Sequence, residues 1–208
     1  ILAGVMLLLK KEFRTRNALL VYVGTVLSLT GAFACYAVFG IKEGLTLFYL
    51  TEEFPIVFRL DLLGRYFSLA LTIVWVLAGF FSFDYMAHEK KEKRYFGFYL
   101  IVFGVLLGLD FSGNLITMYL FYELMTLTSL PLVLHAQTKE AIMAGLRYLF
   151  FSFAGAYMAL FGVYVICRYG TTLSFTAGGV IPPAVLEEHR TLFLAASMLM
   201  LIGFGVKA

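Results

Sequence analysis

Asn114-Leu-Ile-Thr-Met-Tyr-Leu-Phe-Tyr-Glu123-Leu-Met-Thr-Leu-Thr-Ser-Leu-Pro131-Leu-Val-Leu134 decides the fold. The run holds a single charged residue and is long enough to cross a ~30 Å hydrocarbon core as a helix. It lacks the strict alternation of a membrane strand, so a helix is expected. Glu123 then falls ~14 Å from Asn114, near the bilayer centre, where a charge costs about 2.5–3.5 kcal/mol on insertion scales. A carboxylate so placed needs a partner, a proton or water. Tyr119 and Thr126, at i−4 and i+3, put further polar groups on its face, which should turn toward other helices. Two readings follow: a structural carboxyl hydrogen-bonded between helices, or a group that handles charge.

The pattern repeats along the chain. The 208 residues are 62% hydrophobic and only 14% charged, against about 25% in soluble domains. Apolar runs predict helices over 17–39, 65–86, 95–109, 114–134 and 140–167. Residues 1–9 read as the tail of a first helix, and another helix starts near Leu192. Residues 10–109 thus carry helices two to four, with an extended connection over 40–64. That connection has strand-like segments at 45–50 and 56–60 around Pro55. The expected class is all-α: a polytopic transmembrane bundle of about six to seven helices, its first and last cut short. A long Gly/Pro loop, 169–190, precedes the last helix.

Lys and Arg set the orientation. Lys10, Lys11, Arg14 and Arg16 follow the first run, Lys90, Lys91, Lys93 and Arg94 the third, and Lys139 the fifth. The alternate loops hold fewer: Lys42, Arg59, Arg65, Arg168 and Arg190. Loops after odd-numbered helices are therefore expected on the cytoplasmic side of an inner or cytoplasmic membrane.

Lys207 is the second charged residue of interest. It follows Met200-Leu-Ile-Gly-Phe-Gly-Val, a run weakened by Gly203 and Gly205, as in the broken helices of transporters. A Lys just past a helix end is equally compatible with that position. Arg147 lies ~10 Å in from Glu140, shallow enough to snorkel, and an arginine stays protonated and can only bias its neighbours. His135 ends the fifth run, where a histidine can relay protons or simply sit at the interface. Asp110 is placed to cap the fifth helix or to sit at a pathway mouth, and His88 and His189 lie in charged loops. Gly155, Ala159 and Gly162 form a stripe suited to close helix packing. Cys35 and Cys167 lie in apolar runs without further ligands, so no metal is expected. There is no P-loop, dinucleotide fingerprint or haem ligand pair, so no cofactor is expected, and energy must come from an ion gradient or a partner subunit.

Phe121-Tyr122-Glu123-Leu124-Met125 resembles the fifth-helix motif of the antiporter-like membrane subunits, and Gly203-Phe204-Gly205-Val206-Lys207-Ala208 resembles their seventh-helix motif. That family comprises the proton-conducting subunits of complex I, the large subunits of multi-subunit cation/proton antiporters, and their equivalents in membrane-bound hydrogenases. The resemblance implies that 110–208 opens a proton-translocation module. In it Glu123 pairs with Lys207 in a dry site, and Arg147 and His135 are counted from their own positions as further candidate residues. Arg147 stands where the family often has Lys. The implied partners are other membrane subunits, lipid and protons, with sodium left open, and no nucleic acid. The chain itself shows no redox machinery, so whether it counts as part of an enzyme depends on its complex. A non-conducting anchor subunit and an unrelated secondary transporter are the alternatives.

Overall fold

The computed structural model describes residues 1–11, 13–52, 54–89 and 91–207. Lys90 and Ala208, used above, lie outside the described residues. The elements are α1 (Leu2–Leu9), α2 (Arg16–Gly40), β1 (Leu45–Thr51), β2 (Phe54–Phe58), α3 (Leu62–Tyr85), α4 (Glu92–Asp110), α5 (Leu115–Val133), α6 (Lys139–Tyr169), α7 (Pro183–Glu188) and α8 (Arg190–Gly205). Among the described residues α2, α3, α5 and α6 are long and apolar enough to cross a membrane. The fold is a polytopic membrane helix bundle, as the apolar runs require.

Local chemistry sets the helix starts. Thr15, Asp61, Asn114 and Thr138 each accept a hydrogen bond from a backbone N–H three residues on, so α2, α3, α5 and α6 all begin on a capping side chain. Pro131 falls in the last turn of α5, where its missing N–H removes a ladder bond, and the helix ends two residues later at Val133. The extended connection forms a real hairpin, with β1 antiparallel to β2 and Tyr49 opposite Pro55. Pro55 is tolerated because β2 bonds outward irregularly, to the loop before α5. There Gly113 N donates to Val57 O and Arg59 N to Phe111 O, both at 2.8 Å. The expected loop 169–190 contains one short helix, α7, started by the Pro182-Pro183 pair.

Helix α4 forms the centre. Phe96 and Phe103 on it are fully buried, packed with Leu7 of α1 and Val23 and Leu27 of α2. Trp75 of α3 stacks on Tyr99 at 4.9 Å and donates from Nε1 to the Tyr99 carbonyl at 3.3 Å. The Tyr99 hydroxyl returns a bond to the Trp75 carbonyl at 2.7 Å. This reciprocal link satisfies both polar tips inside an apolar layer.

The positive loops gather at one end. Arg16 pairs with Glu92 at 2.8 Å. Lys93 Nζ reaches the Lys10 and Lys11 carbonyls, and Lys91 Nζ reaches Gln137. Arg94 donates to the Leu134 carbonyl at 3.1 Å, capping the negative end of α5. The hairpin, Arg59 and the 171–176 loop lie at the other end, where Arg59 donates to the Phe175 carbonyl at 2.7 Å. The charge alternation read from sequence is therefore a spatial separation.

Candidate functional site

Helix α5 is fixed at its start by Asn114, whose Oδ1 accepts from Thr117 N and whose Nδ2 donates to the Pro55 carbonyl, both at 2.7 Å. One side chain thus caps the helix and ties it to the hairpin. From there α5 reaches its neighbours through side chains that meet backbone carbonyls. The Tyr119 hydroxyl donates to Ala156 O of α6 at 3.1 Å, and the buried Tyr122 hydroxyl donates to Gly203 O of α8 at 2.8 Å. Ser129 and Tyr148 of α6 share a hydrogen bond of 2.7 Å.

Those carbonyls are within reach because α6 and α8 approach closely. A Cβ added at Gly155 would lie 2.8 Å from Gly203 O, and one at Gly203 would lie 2.6 Å from Ala159 N. The Gly155–Ala159–Gly162 stripe packs against Ala196, Met200 and Gly203, as its spacing suggested. Because Gly203 serves that contact, α8 runs unbroken through it and ends only at Gly205. Gly203 is therefore not a break, and Lys207 stands on the turn after Gly205.

Lys207 Nζ donates to the Tyr122 carbonyl at 3.0 Å and sits 3.4 Å from the centroid of the Tyr122 ring. A carbonyl dipole and an aromatic face together replace part of the water an ammonium would lose. The next residue on α5 is Glu123. It is half-buried, and its Oε1 is shut from solvent with no hydrogen-bond partner among the described residues. The expected buried Glu123–Lys207 ion pair is not formed. Among the described residues the ion pairs are Arg16–Glu92 and Glu188–His189. Lys207 is also half-buried rather than enclosed. The physical reason is local: the backbone carbonyl and ring of Tyr122 already supply the ammonium with an acceptor and a negative face.

Beside Lys207 lies a cavity of about 690 Å³, whose wall includes Trp75, Met125, Ser129, Tyr148 and Ser152. Its lining is mostly apolar, with the two serines, the tyrosine and the lysine as polar points. Among the described residues no group of acids, histidines and cysteines is arranged to hold a metal.

The other two candidate residues lie elsewhere. Arg147 is exposed on the outer face of α6, among the exposed Met143, Leu146, Phe150 and Phe151, and is not brought to Glu123 or Lys207. Its neighbour Tyr148 points to α5 instead. His135 stands at the basic end against Tyr95, with ring centroids 5.6 Å apart, about 18 Å along the helix from Glu123. Tyr122, Tyr148 and Ser129 stand at this junction, and sequence reasoning assigned none of them a role. Hydroxyls spaced along an apolar run were the available signal.

Fold and site together define a membrane subunit of the helix-bundle type, with one acid and one base at the junction of α5, α6 and α8. Comparison with known proteins makes this specific. The family described as "NADH:quinone oxidoreductase/Mrp antiporter, TM" matches residues 112–208, and "NADH-Ubiquinone oxidoreductase (complex I), chain 5 N-terminus" matches 51–96. The chain belongs to this antiporter-like family of membrane subunits. Na(+)/H(+) antiporter subunit A1 of Staphylococcus haemolyticus is 30% identical over 150 residues, covering 72% of this chain and 18% of its own length. Hydrogenase-4 component B of Escherichia coli is 28% identical over 152 residues, covering 72% of this chain and 22% of its own. The chain thus spans about a fifth of the length of these relatives. Two solved structures share the fold. An archaeal membrane-bound sulfane sulfur reductase complex aligns with a TM-score of 0.72 at 18% identity, over 99% of this chain and 42% of that one. The Mrp complex of Dietzia sp. DQ12-45-1b aligns with a TM-score of 0.70 at 19% identity, over 97% and 37%.

Proposed function

We propose that this chain is part of a proton-translocating membrane subunit, in which Lys207 loads and releases a proton under the influence of Glu123. The observation that carries the reading is the docking of the Lys207 ammonium on Tyr122, one residue from a carboxyl oxygen that has no hydrogen-bond partner among the described residues. An acid and a base that meet around Tyr122 in a half-buried site influence each other, so a small move of either changes where the proton rests. The cavity beside Lys207 gives the ammonium a place to move into. His135, at the basic end, is suited to receive a proton on the cytoplasmic side. Arg147, exposed and permanently charged, is better read as an anchor at the membrane surface than as a carrier.

The relatives named above include a sodium/proton antiporter subunit and a hydrogenase component. On that basis we place the complete protein among other membrane subunits of a multi-subunit complex in the cytoplasmic membrane, moving protons, with sodium as the exchanged cation in an antiporter setting. Energy would come from the partner subunits or from the gradient. Glu123→Gln, in the complete protein within its complex, is the test. Proton translocation into sealed vesicles is expected to fall to background, with the complex still assembled. Wild-type translocation by that variant would overturn the proposal.

A further inference from the structure

Thr126 is fully buried on α5, and its Oγ1 has no hydrogen-bond partner among the described residues. A buried hydroxyl in a helix has a ready acceptor in the carbonyl four residues back. The hydroxyls beside it take that route. Thr128 Oγ1 donates to Leu124 O at 2.7 Å and Ser129 Oγ to Met125 O at 2.6 Å. Ser68, Ser82 and Ser112 do the same on α3 and after α4. For Thr126 the carbonyl four residues back belongs to Tyr122, and Lys207 Nζ holds it at 3.0 Å. A carbonyl oxygen has two lone pairs, and the α-helical ladder assigns one of them to the Thr126 N–H. The second is contested, and the ammonium has it. Thr72 Oγ1 on α3 is also without a partner, but among the described residues no charged donor occupies the carbonyl before it.

We propose that Thr126 is a positioning residue for Lys207, its hydroxyl taking the Tyr122 carbonyl whenever the ammonium leaves it. This rests on the proton-translocation reading above. With Lys207 docked, the threonine hydroxyl is buried and unsatisfied. With Lys207 swung into the adjoining cavity, toward the Ser129–Tyr148 pair, the hydroxyl bonds the carbonyl it left. The ammonium then exchanges a carbonyl for two hydroxyls, and no buried donor is stranded. The hydroxyl therefore brings the two lysine positions closer in free energy and eases departure. Without it, the docked position holds the lysine more firmly.

Thr126→Val keeps the shape and removes the hydroxyl, Thr126→Ala removes it without the branched side chain, and Thr126→Ser keeps it. In the complete protein within its complex, in sealed vesicles and per assembled complex, Thr126→Val and Thr126→Ala are expected to slow proton translocation about tenfold. That is the ratio set by about 1.4 kcal/mol, one buried hydrogen bond. Thr126→Ser is expected to stay within about twofold of wild type, an effect of a few tenths of a kcal/mol. A wild-type rate in Thr126→Val, or equal slowing in Thr126→Val and Thr126→Ser, overturns the inference, the latter because it marks a packing role. Glu123→Gln, run in parallel, separates the two claims. If it is inactive while Thr126→Val is normal, only the threonine assignment falls. If it translocates normally, both fall.

Discussion

Gly203→Ala probes the junction that presents Lys207 to α5. The added Cβ would stand 2.6 Å from Ala159 N and 3.1 Å from Ala159 Cβ, and it would also collide with the Gly155 carbonyl. Ordinary contact between such atoms is about 3.5 Å or more, so α8 must retreat from α6 by roughly 1 Å. That retreat displaces the Gly203 carbonyl from its seat beneath the Tyr122 hydroxyl, now 2.8 Å distant, and weakens the bond. Overpacking costs about 1–3 kcal/mol, and an interhelical hydrogen bond in a membrane contributes about 0.6 kcal/mol. The expected destabilisation is therefore about 1.5–3.5 kcal/mol. Gly205→Ala is the matched control, because among the described residues nothing lies within 4 Å of a Cβ placed there. It ends α8, where alanine is expected to be neutral or to stabilise by up to about 1 kcal/mol. Thermal unfolding of the complete protein in detergent, with and without each change, measures the difference. Similar midpoints for the two variants would refute the claim that α8 is seated through Gly203.

Two further perturbations test the frame. Asn114→Ala removes a helix cap and the bond to Pro55 O at once. It should destabilise by about 1–3 kcal/mol in the same assay, while Asn114→Asp, which keeps the cap, should recover about half. Single cysteines in place of exposed His88 and Glu43, in a background free of Cys35 and Cys167, should label from opposite sides of sealed vesicles with an impermeant maleimide. The His88 site should react from the cytoplasmic face, and labelling of both from one side would contradict the orientation.

Much of the fold was legible because lipid leaves the chain few choices. Apolar runs flanked by Thr15, Asp61, Asn114 and Thr138 gave helices whose ends match to within a few residues. The alternation of lysine-rich loops was legible as a basic end of the bundle. Strand segments around Pro55 were legible too, though not how β2 meets the loop before α5. Helix α7 was hidden in a Gly/Pro stretch because it is a single short segment started by two prolines. The site was only half readable. Glu123 and Lys207 stood out as charges in apolar sequence. Their arrangement did not, because the groups that decide it are backbone carbonyls of Tyr122, Ala156 and Gly203, and every residue carries one. Glycine at 203 looked like a break, since its packing partner on α6 is distant in sequence. Arg147 was legible as shallow enough to snorkel, and the exposed face of α6 on which it stands was not.

The central claim is that Lys207 gives up a proton. Lys207→Arg keeps a positive charge and donors for the Tyr122 carbonyl, but a guanidinium stays protonated at any working pH. In sealed vesicles carrying the complete, assembled protein, this variant is expected to translocate no protons above background. Translocation at the wild-type rate would show that the lysine is only a structural cation, and would contradict the account.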